Sequence, residues 1–109
     1  MAPRLKSGIF VSALIRRVEV AGASAYVVRK GSEEAGAVFL KLSRLDGRVT
    51  VLEQVRRGEG DLVWMKPIGE ADEARASAWL EKQIRFDPDL WIVEIEDREG
   101  RTFVDEPIV

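Results

Sequence analysis

The sequence predicts an α+β fold in one domain over residues 1–109: a mixed or mainly antiparallel sheet of about five or six strands packed by two helices. Three observations carry this expectation. Two stretches space their apolar residues three and four apart, as helices with one buried face do. The runs between them are β-branched, aromatic or alternating, and turn residues separate them. The stretch Phe86 to Arg101, F-D-P-D-L-W-I-V-E-I-E-D-R-E-G-R, joins a helix stop at Asp87-Pro88 to a strand apolar on both faces in its first half. The predicted order is α-β-β-β-β-α-β-β.

Ser7 is placed to cap a first helix from about Gly8 to Ala21, with Phe10, Val11, Leu14, Ile15, Val18 and Ala21 as its apolar stripe and Gly22 as its left-handed stop. Ala25–Lys30 reads as a strand, and a second follows from Gly36 to Leu45. Asp46-Gly47 is a two-residue hairpin signal leading into Arg48–Val55. Pairing across such a turn sets Leu42 opposite Val51 and Leu40 opposite Glu53, so that Val38, Leu40, Leu42, Val49, Val51 and Val55 share the core face and Lys41, Ser43, Thr50 and Gln54 the wetter one. Arg56–Gly60 reads as a loop and Leu62–Met65 as a fourth strand. The second helix starts near Glu70, Asp72 and Glu73, acids favoured by the dipole there, and buries Ala76, Trp79, Leu80 and Ile84. After it, Trp91, Val93 and Ile95 face one way and Leu90, Ile92, Glu94 and Glu96 the other. Asp97–Gly100 then reads as a hairpin loop before a short strand Arg101–Val104, and the tail from about residue 105 is expected to be loose, with docking on a neighbour as the alternative. Trp64, Trp79 and Trp91 all fall on apolar runs and are expected in the core.

Composition excludes much chemistry. Cysteine and histidine are absent, which removes disulfides, thiolate or imidazole metal sites, thiol nucleophiles and imidazole proton relays. What remains is carboxylates with Mg²⁺ or Mn²⁺, carboxylate acid/base pairs, or a serine activated by lysine. Gly58-Glu59-Gly60 lacks the Lys-Ser/Thr and helix of a phosphate loop, and the chain has no Glu-x-Lys or Asp-x-Lys of the kind restriction-type nucleases carry on a strand. Arg4, Lys6 and the apolar run Gly8–Ile15 imitate a secretory signal, but Arg16, Arg17 and Glu19 interrupt it before Ala21-Gly22-Ala23. A retained helix, no membrane association and a cytoplasmic location are therefore expected.

Charge is divided along the chain. Residues 1–57 carry 11 Lys/Arg against 5 Asp/Glu, and residues 58–109 carry 6 against 14, giving the overall −2. Two constellations follow. Arg16 and Arg17, Arg29 and Lys30, and Arg56 and Arg57 are paired cations at element ends that could grip a polyanion. Glu94 and Glu96 sit on one side of a strand, about 7 Å apart by strand rise, and are the candidate metal ligands. Each has a plainer reading: the cations answer acids from the C-terminal half, and the two glutamates pair with Arg or Lys on neighbouring strands.

Three runs together, P-R-L-K-S-G-I-F-V-S-A-L-I-R-R at Pro3–Arg17, G-A-V-F-L-K-L-S-R-L-D-G at Gly36–Gly47 and R-F-D-P-D-L-W-I-V-E-I-E-D-R-E-G-R at Arg85–Arg101, resemble a bacterial family of small proteins common in alphaproteobacteria, the domain of unknown function 1491. The resemblance implies a stand-alone cytosolic bacterial protein and carries no catalytic residue or cofactor. The functional expectation is a non-enzymatic binding or adaptor module that contacts a macromolecule, a protein in preference to a nucleic acid, without a cofactor. The alternative is a small hydrolase using Mg²⁺ or Mn²⁺ at Glu94 and Glu96.

Overall fold

The computed structural model describes residues 5–58 and 60–109. Its elements are α1 (Ser7–Val20), β1 (Ser24–Arg29), β2 (Val38–Ser43), β3 (Arg48–Arg57), β4 (Asp61–Met65), β5 (Ala71–Asp72), α2 (Glu73–Phe86) and β6 (Trp91–Glu96). The strands form one sheet in the order β1-β6-β2-β3-β4, with β5 added beside the start of β3. Only β6 and β2 run parallel; β1 with β6, β2 with β3 and β3 with β4 are antiparallel. The fold is thus α+β, a mostly antiparallel mixed sheet with one helix on each face.

The strand after Asp87-Pro88 threads the middle of the sheet, and its alternation distributes the core. Trp91, Val93 and Ile95 join Val38, Leu40, Leu42, Leu52 and Trp64 beneath the α1 stripe of Val11, Leu14 and Val18. Leu90 and Ile92 join Phe39, Val49 and Val51 beneath Ala76 and Leu80 of α2. Residues this fully buried each contribute about 1.5–3 kcal/mol through removal of apolar surface from water. Trp64 is fully buried and Trp91 nearly so, while Trp79 is half-buried and meets Phe39 edge to face at 5.8 Å.

Asp72 caps α2 by accepting the Arg75 backbone N–H at 2.8 Å. Ser7 does not cap α1: the helix begins at Ser7 itself, with Lys6 at the cap position, and the Ser7 hydroxyl donates to the Gly36 carbonyl at 2.6 Å. Gly22, at φ +86°, does end the helix as expected.

The β2–β3 register differs by one residue from the expected one. The observed pairs are Ser43 with Val49, Lys41 with Val51 and Leu40 with Leu52. The connection is three residues long, Leu45 to Gly47, closed by the Arg44 N–H donating to the Arg48 carbonyl, and positive φ falls on Leu45 and Gly47 while Asp46 stays negative. A two-residue turn of the predicted type needs positive φ at both central residues. One residue of slip moves Val49 and Val51 to the face of Phe39 and Lys41, and Thr50 and Leu52 to that of Leu40 and Leu42.

The C-terminal expectations also change. The region 101–104 forms no strand, and the region expected as a loop at Arg56–Gly60 begins as the last two residues of β3; Glu59 of that loop and Arg4 of the N-terminal run lie outside the described residues. Asp97 organises the turn, its carboxylate accepting the backbone N–H and guanidinium of Arg101, which holds that carboxyl below the ordinary aspartate range. The chain then passes under α1, where Arg17 donates to the Phe103 carbonyl at 2.6 Å. The tail expected to be loose is paired: Ile108 bridges Trp64 in parallel, with Trp64 N–H donating to the Pro107 carbonyl at 2.9 Å and Val109 N–H to the Trp64 carbonyl at 2.8 Å. The buried indole explains this, since its Nε1–H needs an acceptor and finds Glu106 Oε1 at 2.9 Å.

Entry into β6 depends on a close backbone approach at Gly31, where an added Cβ would lie 2.2 Å from the Asp89 carbonyl oxygen. Gly31→Ala is expected to destabilise the fold by about 2 kcal/mol or more, whereas Gly69→Ala, which meets nothing within 4 Å, is expected to change it little. Urea denaturation of the two variants checks the contrast.

Candidate functional site

Helix α2 lies over β3 and β5 and leaves β1 uncovered on its face of the sheet. Between helix and strand runs a groove of about 300 Å³, lined by Val28, Arg29, Lys41, Ser77, Leu80, Glu81, Ile84 and Ile92. Its polar floor is a row of side chains aligned by register, since Tyr26 of β1 pairs with Glu94 of β6 and Glu94 with Lys41 of β2. Tyr26 Oη donates to Glu94 Oε2 at 2.8 Å, and Lys41 Nζ lies 3.3 Å from Glu94 Oε1. From the first two turns of α2, Glu73 accepts a hydrogen bond from Lys41 and Ser77 Oγ lies 3.4 Å from Nζ. The Lys41 and Glu94 side chains are 7% and 11% exposed, against 59% for Glu73.

These contacts settle what the cluster can do chemically. Burial pulls the Lys41 ammonium down, but the Glu73 hydrogen bond and the Glu94 charge together outweigh it, and its pKa stands above the ordinary lysine value. A lysine whose charged form is favoured is a poor base for the Ser77 hydroxyl, so the serine–lysine option fits poorly. Tyr26 is pushed up to about 12, first by its hydrogen bond to Glu94 and then by burial and the nearby carboxylates. The three N–H donors of Lys41 have three oxygen partners, leaving none for a ligand. The groove therefore offers an apolar pocket over a floor of groups engaged with one another.

The predicted site residues fall in different places. Glu94 is the centre of this row, with each carboxylate oxygen engaged by Lys41 or Tyr26, so a divalent cation there must displace an ammonium. Glu96, half-buried two residues on, lines a separate cleft of about 290 Å³ with Gly22, Ala23, Ser24, Leu45, Asp97 and Arg98. Among the described residues no group of three or more acids is placed to hold a metal ion.

The cationic pairs divide. β1 and β3 both run toward the end of the sheet where β6 begins, which brings Arg29, Lys30, Arg56 and Arg57 to one end, with β6 and β2 between the two pairs. Arg29 donates to the Pro88 carbonyl, Lys30 meets Glu33 at 3.3 Å and Arg56 donates to the Gly60 carbonyl. Arg16 and Arg17 lie on the latter half of α1, and Arg17 serves the tail, 3.4 Å from Asp105.

Lys41, Glu73, Ser77 and Tyr26 were not among the residues singled out by sequence. The signal was present: V-F-L-K-L-S sets one charge inside a run apolar on both faces, W-I-V-E-I-E sets Glu94 between Val93 and Ile95, and two such charges of opposite sign ask for one another.

Removing one member of this buried pair strands the other. Lys41→Met is expected to cost about 3–5 kcal/mol, and Lys41→Met combined with Glu94→Leu is expected to recover much of it, as read by urea denaturation. Tyr26 is the sole tyrosine, so tyrosinate absorbance titrates one residue. A folded pKa raised to about 12 from 10.0 means that the unfolded chain loses this proton first as pH rises. The stabilisation is complete below pH 10 and is lost between there and about 12, so the melting temperature is expected to fall in that window, less steeply in Tyr26→Phe.

Among the described residues no helix is long and apolar enough to cross a membrane. No curated protein matches the chain. The crystal structure of a DUF1491 family protein from Caulobacter crescentus is 45% identical with a TM-score of 0.90, covering 97% of this chain and 100% of that one. An NMR structure of a DUF1491 family protein from the same organism is 44% identical with a TM-score of 0.88, covering 99% of each chain. The solution structure of protein Atu0922 from A. tumefaciens is 38% identical with a TM-score of 0.80, covering 98% of this chain and 100% of that one. The family described as protein of unknown function (DUF1491) matches residues 5–105, and with these likenesses over nearly the whole length the chain belongs to the DUF1491 family.

Proposed function

We propose that the protein is a cytoplasmic, non-enzymatic binding module that receives a partner protein in the groove between α2 and β1. The observation that carries this reading is an apolar pocket whose polar floor is already satisfied: Val28, 49% exposed, and half-buried Ile84 line it over buried Leu80 and Ile92, and Tyr26, 46% exposed, stands on the same strand as Val28. An aliphatic or aromatic side chain entering there loses water without leaving a polar group unpaired, because Lys41, Ser77 and Glu94 hold one another. Exposed Glu73 and Glu81 edge the groove, so the fitting segment is an apolar one that also carries a lysine or arginine.

A nucleic acid is the weaker fit. Of the four cations gathered at one end of the sheet, Arg29, Lys30 and Arg56 are tied to carbonyls or a glutamate, and Glu33, Glu34, Asp61, Asp87 and Asp89 lie among them in sequence or on the adjoining strand ends.

Selection of a random peptide library on the full chain tests the proposal. Sequences pairing an apolar anchor with a basic residue are expected to be enriched, and their binding is expected to fall at least tenfold in Ile84→Asp while surviving in Arg16→Ala. Failure to enrich any motif, or binders indifferent to Ile84→Asp, would remove the basis for the groove.

A further inference from the structure

The two margins of the sheet are treated differently. On the far side, β5 pairs with the start of β3 and the chain's own tail pairs with Trp64 of β4. On the near side, β1 pairs with β6 along one edge and, among the described residues, has no strand on the other. An unpaired row of N–H and C=O groups is a template for another strand, and proteins that leave one open blunt it with proline, short length, inward-facing charge or a bulge. Here the bulge comes only between Val27 and Arg29, after four regular residues, Ser24 to Val27, that contain neither proline nor charge. Tyr26, Val27 and Val28 stand 46%, 40% and 49% exposed along it.

We propose that this edge pairs with the β1 edge of a second copy, antiparallel about a two-fold axis perpendicular to the sheet at Tyr26. The register follows from two requirements. Residues directly opposite must share a face, which for identical antiparallel strands puts the axis on a residue and not between two. The regular stretch ends at the bulge, so centring on Tyr26 sets Tyr26 against the partner's Tyr26 and Ala25 against the partner's Val27, an aromatic pair and a small-against-branched pair, and leaves the bulge outside them.

Charge selects a second copy as the occupant. The antiparallel arrangement carries Arg29 and Lys30 of each chain past Ser24 of the other, toward the cleft lined by Gly22, Ala23, Ser24, Glu96 and Asp97. Leu45 and Arg98 complete that lining and Asp97 is held by Arg101, so Glu96, which among the described residues has no cation within ion-pair distance, is the carboxylate that an incoming Arg29 or Lys30 meets. Arg29 also has a buried Nε–H without an acceptor, a donor that an incoming carboxylate can satisfy. The division of charge along the sequence thus becomes complementarity between copies, and a two-fold dimer closes both β1 edges at once.

The joined sheet would place Tyr26 and Val28 of both copies side by side between two α2 helices. The pairing uses the backbone edge and not the groove, so it goes beyond the binding reading and does not need it.

Sedimentation equilibrium of the full chain tests it, and the expected mass is twice the chain's 12.2 kDa. Val27→Lys, which sets a charge on the edge, is expected to sediment as a monomer that keeps the parent's circular dichroism spectrum. The chain has no cysteine, so oxidation of Tyr26→Cys is expected to join two chains across the axis and oxidation of Arg75→Cys to leave them separate. A monomeric parent protein overturns the pairing while leaving peptide selection on the groove untouched. A dimer that survives Val27→Lys and does not cross-link through position 26 uses another surface and overturns it equally.

Discussion

The arrangement of this sheet turns on one ion pair, at the parallel junction of β2 and β6. Glu94 and Lys41 sit opposite one another on β6 and β2; Lys41 is the single charge of its strand, and Glu94 is the buried one of the two glutamates on β6, Glu96 being half-buried at the strand end. Were β6 to slip one residue against β2, Glu94 would turn toward the aliphatic stripe of α1 and Lys41 would face α2 with only exposed Glu73 as counter-charge. Burying two charges costs several kcal/mol before their attraction is counted, so such a pair adds little to net stability compared with apolar residues of the same shape. Its stronger effect is on alternatives: a slip of one residue buries both charges without joining them.

The same pair ties three layers together. Tyr26 brings the edge strand in, and Glu73 and Ser77 bring the start of α2 in. The helix is thereby anchored at its N-terminal end over Lys41 and at its C-terminal end by the Asp87-Pro88 break, where the Arg29 guanidinium reaches the Pro88 carbonyl. Between these anchors α2 shields β2 and β3 but not β1, and the groove is the space left over. Its shape follows from where the charges are and needs no separate device.

How much of this is legible in the sequence depends on whether the signal is local. Both helices, their stops at Gly22 and Asp87-Pro88, the central position of the last strand and the two faces of W-I-V-E-I-E can all be read from residues a few positions apart. The hairpin register cannot, because Asp46-Gly47 permits more than one loop, and the structure adopts the one with Leu45 at φ 63°, outside its preferred region. That choice is governed by burial over the whole strand, where Val49 and Val51 gain α2 as a cover. The tail is illegible for a similar reason: nothing near Pro107 announces a partner in Trp64, and only the need of a buried indole for an acceptor brings them together. The acids Glu94 and Glu96 stand out by composition, whereas the lysine that defines the role of Glu94 is 53 positions away in sequence and one strand away in space.

Tyr26 is where the site and the edge meet. Its hydroxyl is fixed by Glu94, which is fixed by Lys41, which is fixed by α2, so the ring of an edge-strand residue is held from the interior of the domain. An edge residue normally keeps its rotamer freedom until a partner arrives, and ordering it then subtracts from the affinity. Here that ordering has already happened on folding, through hydrogen bonds that a newcomer on the outer edge does not disturb. The network that sets the register of the core thus also fixes one side chain at the margin of the sheet.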